Sequence, residues 1–161
     1  MRTRRGSTLK GVITLSLMVV NVVFWVPILL VVALAKLLIP LAAWRRWTSA
    51  LMIWIAQAWI SCNGAIFSLM GALRLEVDGV EGLDPRSWYL VLSNHQSWVD
   101  ILVLQKAFNR RIPFLKFFLK QELIWVPFLG LAWWALDFPF MKRHSATYLQ
   151  KHPQARGEDL D

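Results

Sequence analysis

Residues 12–35 run for 24 positions without a charged side chain. As a helix rising 1.5 Å per residue this is about 36 Å, longer than the roughly 30 Å hydrocarbon core of a bilayer. Two destinies fit such a segment near an N-terminus: a retained membrane anchor or a cleaved signal peptide. Ala33-Leu34-Ala35 has the small-residue look of a cleavage site. The run is nevertheless longer than a signal-peptide core, and a second apolar segment follows, so an uncleaved anchor is the expectation. Arg2, Arg4, Arg5 and Lys10 precede it, and basic flanks stay on the cytoplasmic side. Pro27 predicts a kink of the kind membrane helices tolerate.

Trp44-Arg45-Arg46-Trp47 is a basic, aromatic connector suited to a membrane–water interface. Residues 49–73 are apolar again, but Gln57, Ser61, Asn63 and Ser68 interrupt them. This segment spans the membrane, lies in the interface, or forms half of a helical hairpin, and the sequence leaves these open. Arg45 and Arg46 count against a second crossing, which would put them on the far side. Ten Trp and nine Phe, with 57% hydrophobic residues, fit a membrane protein. The net charge of +8 is dispersed among apolar segments, without a nucleic-acid-binding motif. Anionic lipid head groups are therefore the expected partner, and nucleic acid is not. Cys62 is the single cysteine, so no disulfide forms within the chain, and its apolar setting reads as a small buried hydrophobe.

From residue 74 the pattern changes. Arg74-Leu75-Glu76-Val77-Asp78-Gly79 alternates polar and apolar, as a strand ending at a turn does. Trp88-Tyr89-Leu90-Val91-Leu92 reads as a buried strand, residues 99–108 as a helix, residues 112–115 as a possible third strand, and residues 137–141 as another. Alternating strands and helices predict an α/β domain behind membrane helices. The expected division is 1–43 for the basic N-terminus and first anchor helix, 44–73 for the second apolar helix, and 74–161 for a partial α/β domain. With three or four strands the sheet keeps an open edge, so this part is expected to be poorly stable alone.

His95 and Asp100 fall at the predicted strand-to-helix turn. Residues five apart do not share a face of one helix, so the two meet only if His95 is in the turn and Asp100 in the first helical turn. Ser97-Trp98-Val99-Asp100 matches a capping box. An imidazole held there can serve as a general base, with the carboxylate fixing its tautomer and stabilising the imidazolium. Ser97 sits too close to His95 in the turn to be a good nucleophile, and its capping role already accounts for it. Three His in all, with no H-x-x-x-H pair, offer no metal ligand set.

Asn94-His95-Gln96-Ser97-Trp98-Val99-Asp100 resembles the N-H-x-S-x-x-D block of the lysophosphatidic acid acyltransferase family, the PlsC-type glycerolipid acyltransferases. Lys120-Gln121-Glu122-Leu123, then Pro127 and Gly130, then Phe140-Met141-Lys142-Arg143 follow the order of that family's second motif region. The resemblance covers roughly residues 73–143. It implies an N-terminal helical hairpin embedded from one face of a membrane. It also implies transfer of a fatty acyl group from acyl-CoA or acyl-carrier protein, as substrate and with no cofactor, to the free hydroxyl of a lysophospholipid such as lysophosphatidate. His95 and Asp100 become the catalytic pair, with Asn94, Lys120 and Arg143 as substrate-binding residues. Residues 123–136, rich in Trp, become a core helix, a membrane-dipping surface or the wall of an acyl-chain groove. The family's Glu-Gly-Thr-Arg motif and its last apolar motif are not found before Asp161, so the chain is expected to represent the N-terminal part of such an enzyme. The alternative is a truncated, inactive membrane-anchored chain that binds lipid or a partner. The expected location is a membrane, in bacteria the inner membrane, with the site on the cytoplasmic side.

Overall fold

The computed structural model describes residues 2–71, 75–142 and 150, with side chains from residue 8 onward. The chain forms two compact units, residues 1–115 and 116–161.

The first unit is built on a hairpin of two long helices, α1 (Arg2–Leu38) and α2 (Ala42–Met70). A stretch of three residues joins them, so they run antiparallel. Each buries one stripe at helical spacing. On α1 it comprises Thr14, Asn21, Val26, Leu29 and Ala33. On α2 it comprises Thr48, Met52, Ile55, Ala56, Ile60 and Asn63. Ala33, Ala56 and the fully covered Thr48 are small, which lets the two backbones approach. The turn is closed by a side chain: Trp44 Nε1 donates to the Ala35 carbonyl at 2.9 Å, satisfying one of the orphan acceptors at the end of α1. Gly71 ends α2 in the left-handed conformation at φ 58°, its N–H donating to the carbonyls of Phe67 and Ser68.

The rest of α1 is apolar and uncovered. Val20, Val23, Val31 and Leu38 are each more than 60% exposed. A helix apolar all round has the pattern of a membrane span or a large core. Thr8–Leu38 and Ala42–Met70 are both long and apolar enough to cross a bilayer, with mean hydropathies of 2.8 and 1.5 over their best windows. Pro27 sits inside α1 without ending it.

Residues 75–97 are extended and turned. Asp84 organises this stretch: its Oδ1 accepts the Arg86 N–H at 2.9 Å, and its own N–H donates to Tyr89 Oη at 2.8 Å. Gly79 and Gly82 supply the positive φ angles, 72° and 84°. The buried strand expected over residues 88–92 is not formed. The segment joins no ladder, and Trp88, Leu90 and Leu92 are 97%, 79% and 85% exposed. A strand is stabilised only by a neighbour that pairs its backbone groups, and among the described residues nothing pairs with this one. The strand expected from residue 74 is likewise absent over its described residues, and so is the one over residues 112–115. The first unit closes with α3 (Trp98–Phe108), whose Ala107 is buried.

The second unit is a small β–helix–β arrangement. Strands β1 (Leu119–Lys120) and β2 (Phe140–Met141) pair in parallel, Leu119 opposite Phe140 and Lys120 opposite Met141. Between them run a 3-10 turn (Gln121–Trp125) and α4 (Leu129–Ala135). The single helix admitted over residues 123–136 is thus broken in two, for a local reason. Pro127 accepts the Leu129 N–H at 2.7 Å around Phe128 at φ 62°, ψ −45°, the strained positive-φ form of the γ-turn. The chain doubles back there so tightly that a Cβ on Gly130 would overlap the Ile124 carbonyl. Leu119, Ala132, Ala135, Leu136 and Phe138 form the core. The α/β expectation is therefore met only by this one unit, and the described residues are mostly helical.

Candidate active site at the start of the third helix

Ser97 turns the chain into α3. It is extended, at φ −155° and ψ 166°, and its Oγ accepts the Val99 N–H at 3.2 Å. Asp100, at the third helical position, reaches back. Its Oδ2 accepts the N–H of Gln96 at 2.6 Å and that of Ser97 at 2.7 Å. The capping box read from the sequence is present, with Gln96 as a second donor that the motif alone does not announce.

The same oxygen faces the imidazole. His95 Nδ1 lies 3.4 Å from Asp100 Oδ2. This is longer than a well-formed N–H···O bond, and such contacts commonly tighten in the complex with substrate. Asp100 is 29% exposed at its side chain and His95 62%, so the carboxylate is sheltered while the imidazole is open. The backbone N–H groups of Ser97 and then Gln96 hold the Asp100 carboxyl below its usual pKa, with a smaller contribution from His95. Asp100 is thus kept ionised mainly by its cap, with His95 adding to the same effect. With Nδ1 turned toward Asp100, Nε2 is the nitrogen left for a substrate proton.

Asn94, immediately before His95, is exposed in the irregular segment that leads into α3, its carbonyl accepting from Ser93 Oγ at 3.0 Å. Lys120 is exposed on β1, in the second unit. Arg143 lies outside the described residues. Among the described residues no group of three or more His, Cys, Asp or Glu gathers to hold a metal ion.

Sequence reasoning missed how α3 is held. Lys106 Nζ donates to Ser68 Oγ at 2.9 Å. Asn109 Nδ2 donates to Ser61 Oγ at 2.9 Å and to the Gln57 carbonyl at 3.4 Å. The signal was available: Gln57, Ser61, Gly64 and Ser68 stand at helical spacing along one face of α2.

The acyltransferase family profile matches residues 74–158, slightly over half of the chain. Among curated proteins, the 1-acyl-sn-glycerol-3-phosphate acyltransferases alpha of Mus musculus and Homo sapiens are each 36% identical over 72 residues. That alignment covers 44% of this chain and 24% of theirs, so the chain matches about a quarter of the length of these relatives. The protein of the same name from Ovis aries is 35% identical over the same length. No solved structure matches significantly.

Proposed function

This chain belongs to the acyltransferase family, and on that premise we propose that it takes part in moving a fatty acyl group from an acyl thioester to the free hydroxyl of a lysophospholipid, with lysophosphatidate as the acceptor. The observation that carries this reading is the approach of His95 Nδ1 to Asp100 Oδ2 beside an open imidazole.

In the proposed step His95 Nε2 takes the acceptor's hydroxyl proton while that oxygen attacks the thioester carbonyl. Collapse of the tetrahedral adduct breaks the carbon–sulfur bond. The imidazolium returns its proton to the departing thiolate, so atoms and charge balance and no covalent enzyme intermediate is needed. Asp100, held ionised by two backbone donors, orients the ring and stabilises the imidazolium. Asn94, Lys120 and Arg143 are the proposed contacts for the acceptor, the two cations serving its phosphate. The acyl donor, acyl-CoA or acyl-carrier protein, is a substrate, and no cofactor is invoked.

The hairpin α1–α2 is the proposed membrane anchor, supported by its length, hydropathy and uncovered apolar surface. Its N-terminal end carries the basic residues, which supports a cytoplasmic site, with the bacterial inner membrane as the expected setting. The matched relatives named above are mammalian and bear on the chemistry rather than on that setting.

The test is transfer of labelled acyl groups from acyl-CoA to lysophosphatidate in membranes containing the chain, beside His95→Ala. Loss of a general base is worth about 10²- to 10⁴-fold, so the variant should fall to background. Absence of transfer by either protein, with both present in the membrane, would leave the alternative of a membrane-anchored lipid-binding chain without turnover.

A further inference from the structure

Between α1 and α2 a polar cluster lies in a seam that is otherwise mostly apolar. Asn21 of α1 is 8% exposed and Asn63 of α2 is 4% exposed. Asn21 Nδ2 donates to Asn63 Oδ1 at 2.9 Å and to the Trp59 carbonyl at 3.2 Å. Two facing amides can exchange a pair of hydrogen bonds, but these make only half of it. Asn63 Nδ2 is fully covered and has no partner. Trp59 Nε1, one turn earlier on α2, is covered as well and has no partner either.

The amide orientations follow from their neighbours. Turned over, the Asn63 amide would set Nδ2 against Asn21 Nδ2, donor on donor. Turned over, the Asn21 amide would set Oδ1 against the Trp59 carbonyl, acceptor on acceptor. The unpaired donors are therefore a product of how the helices pack. Buried donors left unpaired are costly, and more so in a low-dielectric seam. Asn63 stands seven residues before the end of α2, about 10 Å inside the helix pair, where hydrocarbon offers no acceptor.

The guest that such a cluster takes is small, neutral and able to accept two hydrogen bonds. Residues 12–35 and 49–73 carry no charge, so neither helix offers an anion the counter-charge that burial demands. We propose that the hairpin holds one ordered water here, accepting from Trp59 Nε1 and Asn63 Nδ2 and donating to Asn21 Oδ1. Positions 59 and 63 are four apart and share a face of α2, so their donors point to one side. Asn21 Oδ1 belongs to the amide that already meets Asn63. Three partners are the usual complement of a buried water. The water completes the half-made amide pair and ties the Trp59 ring into it, so α1 and α2 are joined through one hydrated site. The inference is independent of acyl transfer.

The experiment uses the full chain, labelled with ¹⁵N, in detergent micelles, and measures magnetisation transfer from water to side-chain N–H protons. Trp59→Phe identifies the Trp59 indole proton by its loss, and Asn63→Leu identifies the Asn63 amide protons. In the parent both groups should receive magnetisation from water. Both should keep it when a water-soluble paramagnetic agent is added that broadens the indole signal of Trp88, which is 97% exposed. Trp59→Phe keeps an aromatic ring in the seam and removes one donor. The transfer to the Asn63 amide should then fall about tenfold, the factor carried by one hydrogen bond of ordinary net strength. Absence of transfer to both groups in the parent overturns the proposal, because the seam is then dry. Transfer erased by the paramagnetic agent overturns it too, since the water is then bulk solvent. An Asn63 signal unchanged in Trp59→Phe does the same, because the two donors then share no water.

Discussion

Asp100 Oδ2 accepts the Ser97 N–H at 2.7 Å, so the carboxylate that faces His95 is also the one that starts α3. Cap and orienting group are one oxygen, and substitutions at the two residues should separate the roles. Ser97→Ala removes a cap oxygen and should cost about 1 kcal/mol of stability with little change in acyl transfer. Asp100→Asn should abolish transfer while retaining an acceptor for the Gln96 and Ser97 N–H groups. Denaturant unfolding beside the transfer assay distinguishes them. Equal loss of transfer in both variants would contradict a distinct role for Asp100.

The acid limit follows from the same oxygen. The Asp100 carboxyl is held below its usual range in the folded chain. Its contribution to stability is therefore complete above the unfolded carboxylate value, near 3.9, and is lost as pH falls through the lower folded value. Helicity of the first turn of α3 should stay constant down to about pH 4 and decline below it. Asp100→Asn should flatten that decline. An acid transition unchanged by the substitution would count against the cap as its source.

Asn21 Nδ2 donates to Asn63 Oδ1 at 2.9 Å inside the apolar hairpin. Replacing one partner leaves a buried amide unpaired, at a cost of about 1–3 kcal/mol. Replacing both by Leu should recover most of it. A double-mutant cycle in detergent unfolding should give a coupling of about 0.5–2 kcal/mol, and a coupling of zero would mean the pair does not set the register of the hairpin.

Gly130 and Phe128 should respond in opposite directions. Gly130→Ala drives a methyl into the Ile124 carbonyl and should destabilise the second unit by about 1–3 kcal/mol. Phe128→Gly relieves a positive φ that a bulky residue adopts only under constraint, and should stabilise the turn by about 1 kcal/mol. Hydrogen exchange over residues 119–141 is the measurement.

The two apolar helices and the capping turn were legible in the sequence because both rest on local rules, whereas the pairing of the helices as a hairpin was left open there. Uncharged length sets a helix able to cross a membrane, and Ser97 with Asp100 at its spacing sets a cap. Of the strands, only the one expected over residues 137–141 was legible, as β2 at Phe140–Met141. Residues 88–92 have the right composition, yet a strand exists only through its neighbour, and composition says nothing of whether a neighbour arrives. Likewise residues 123–136 read as one apolar run, while the γ-turn at Phe128 and the close approach at Gly130 break it.

The sequence by itself determined the two apolar helices, the basic N-terminal flank, and the presence of a His and an Asp at one turn, since each follows from residue type and spacing alone. Only the tertiary structure decided that Asn21 meets Asn63, that Lys106 and Asn109 dock on the polar stripe of α2, and that one oxygen of Asp100 serves both the helix and the imidazole. Those facts depend on which surfaces come together. The residues concerned are 38–52 positions apart across the helix contacts, and pairing at that range is fixed by burial and hydrogen bonding among the packed helices rather than by any local pattern.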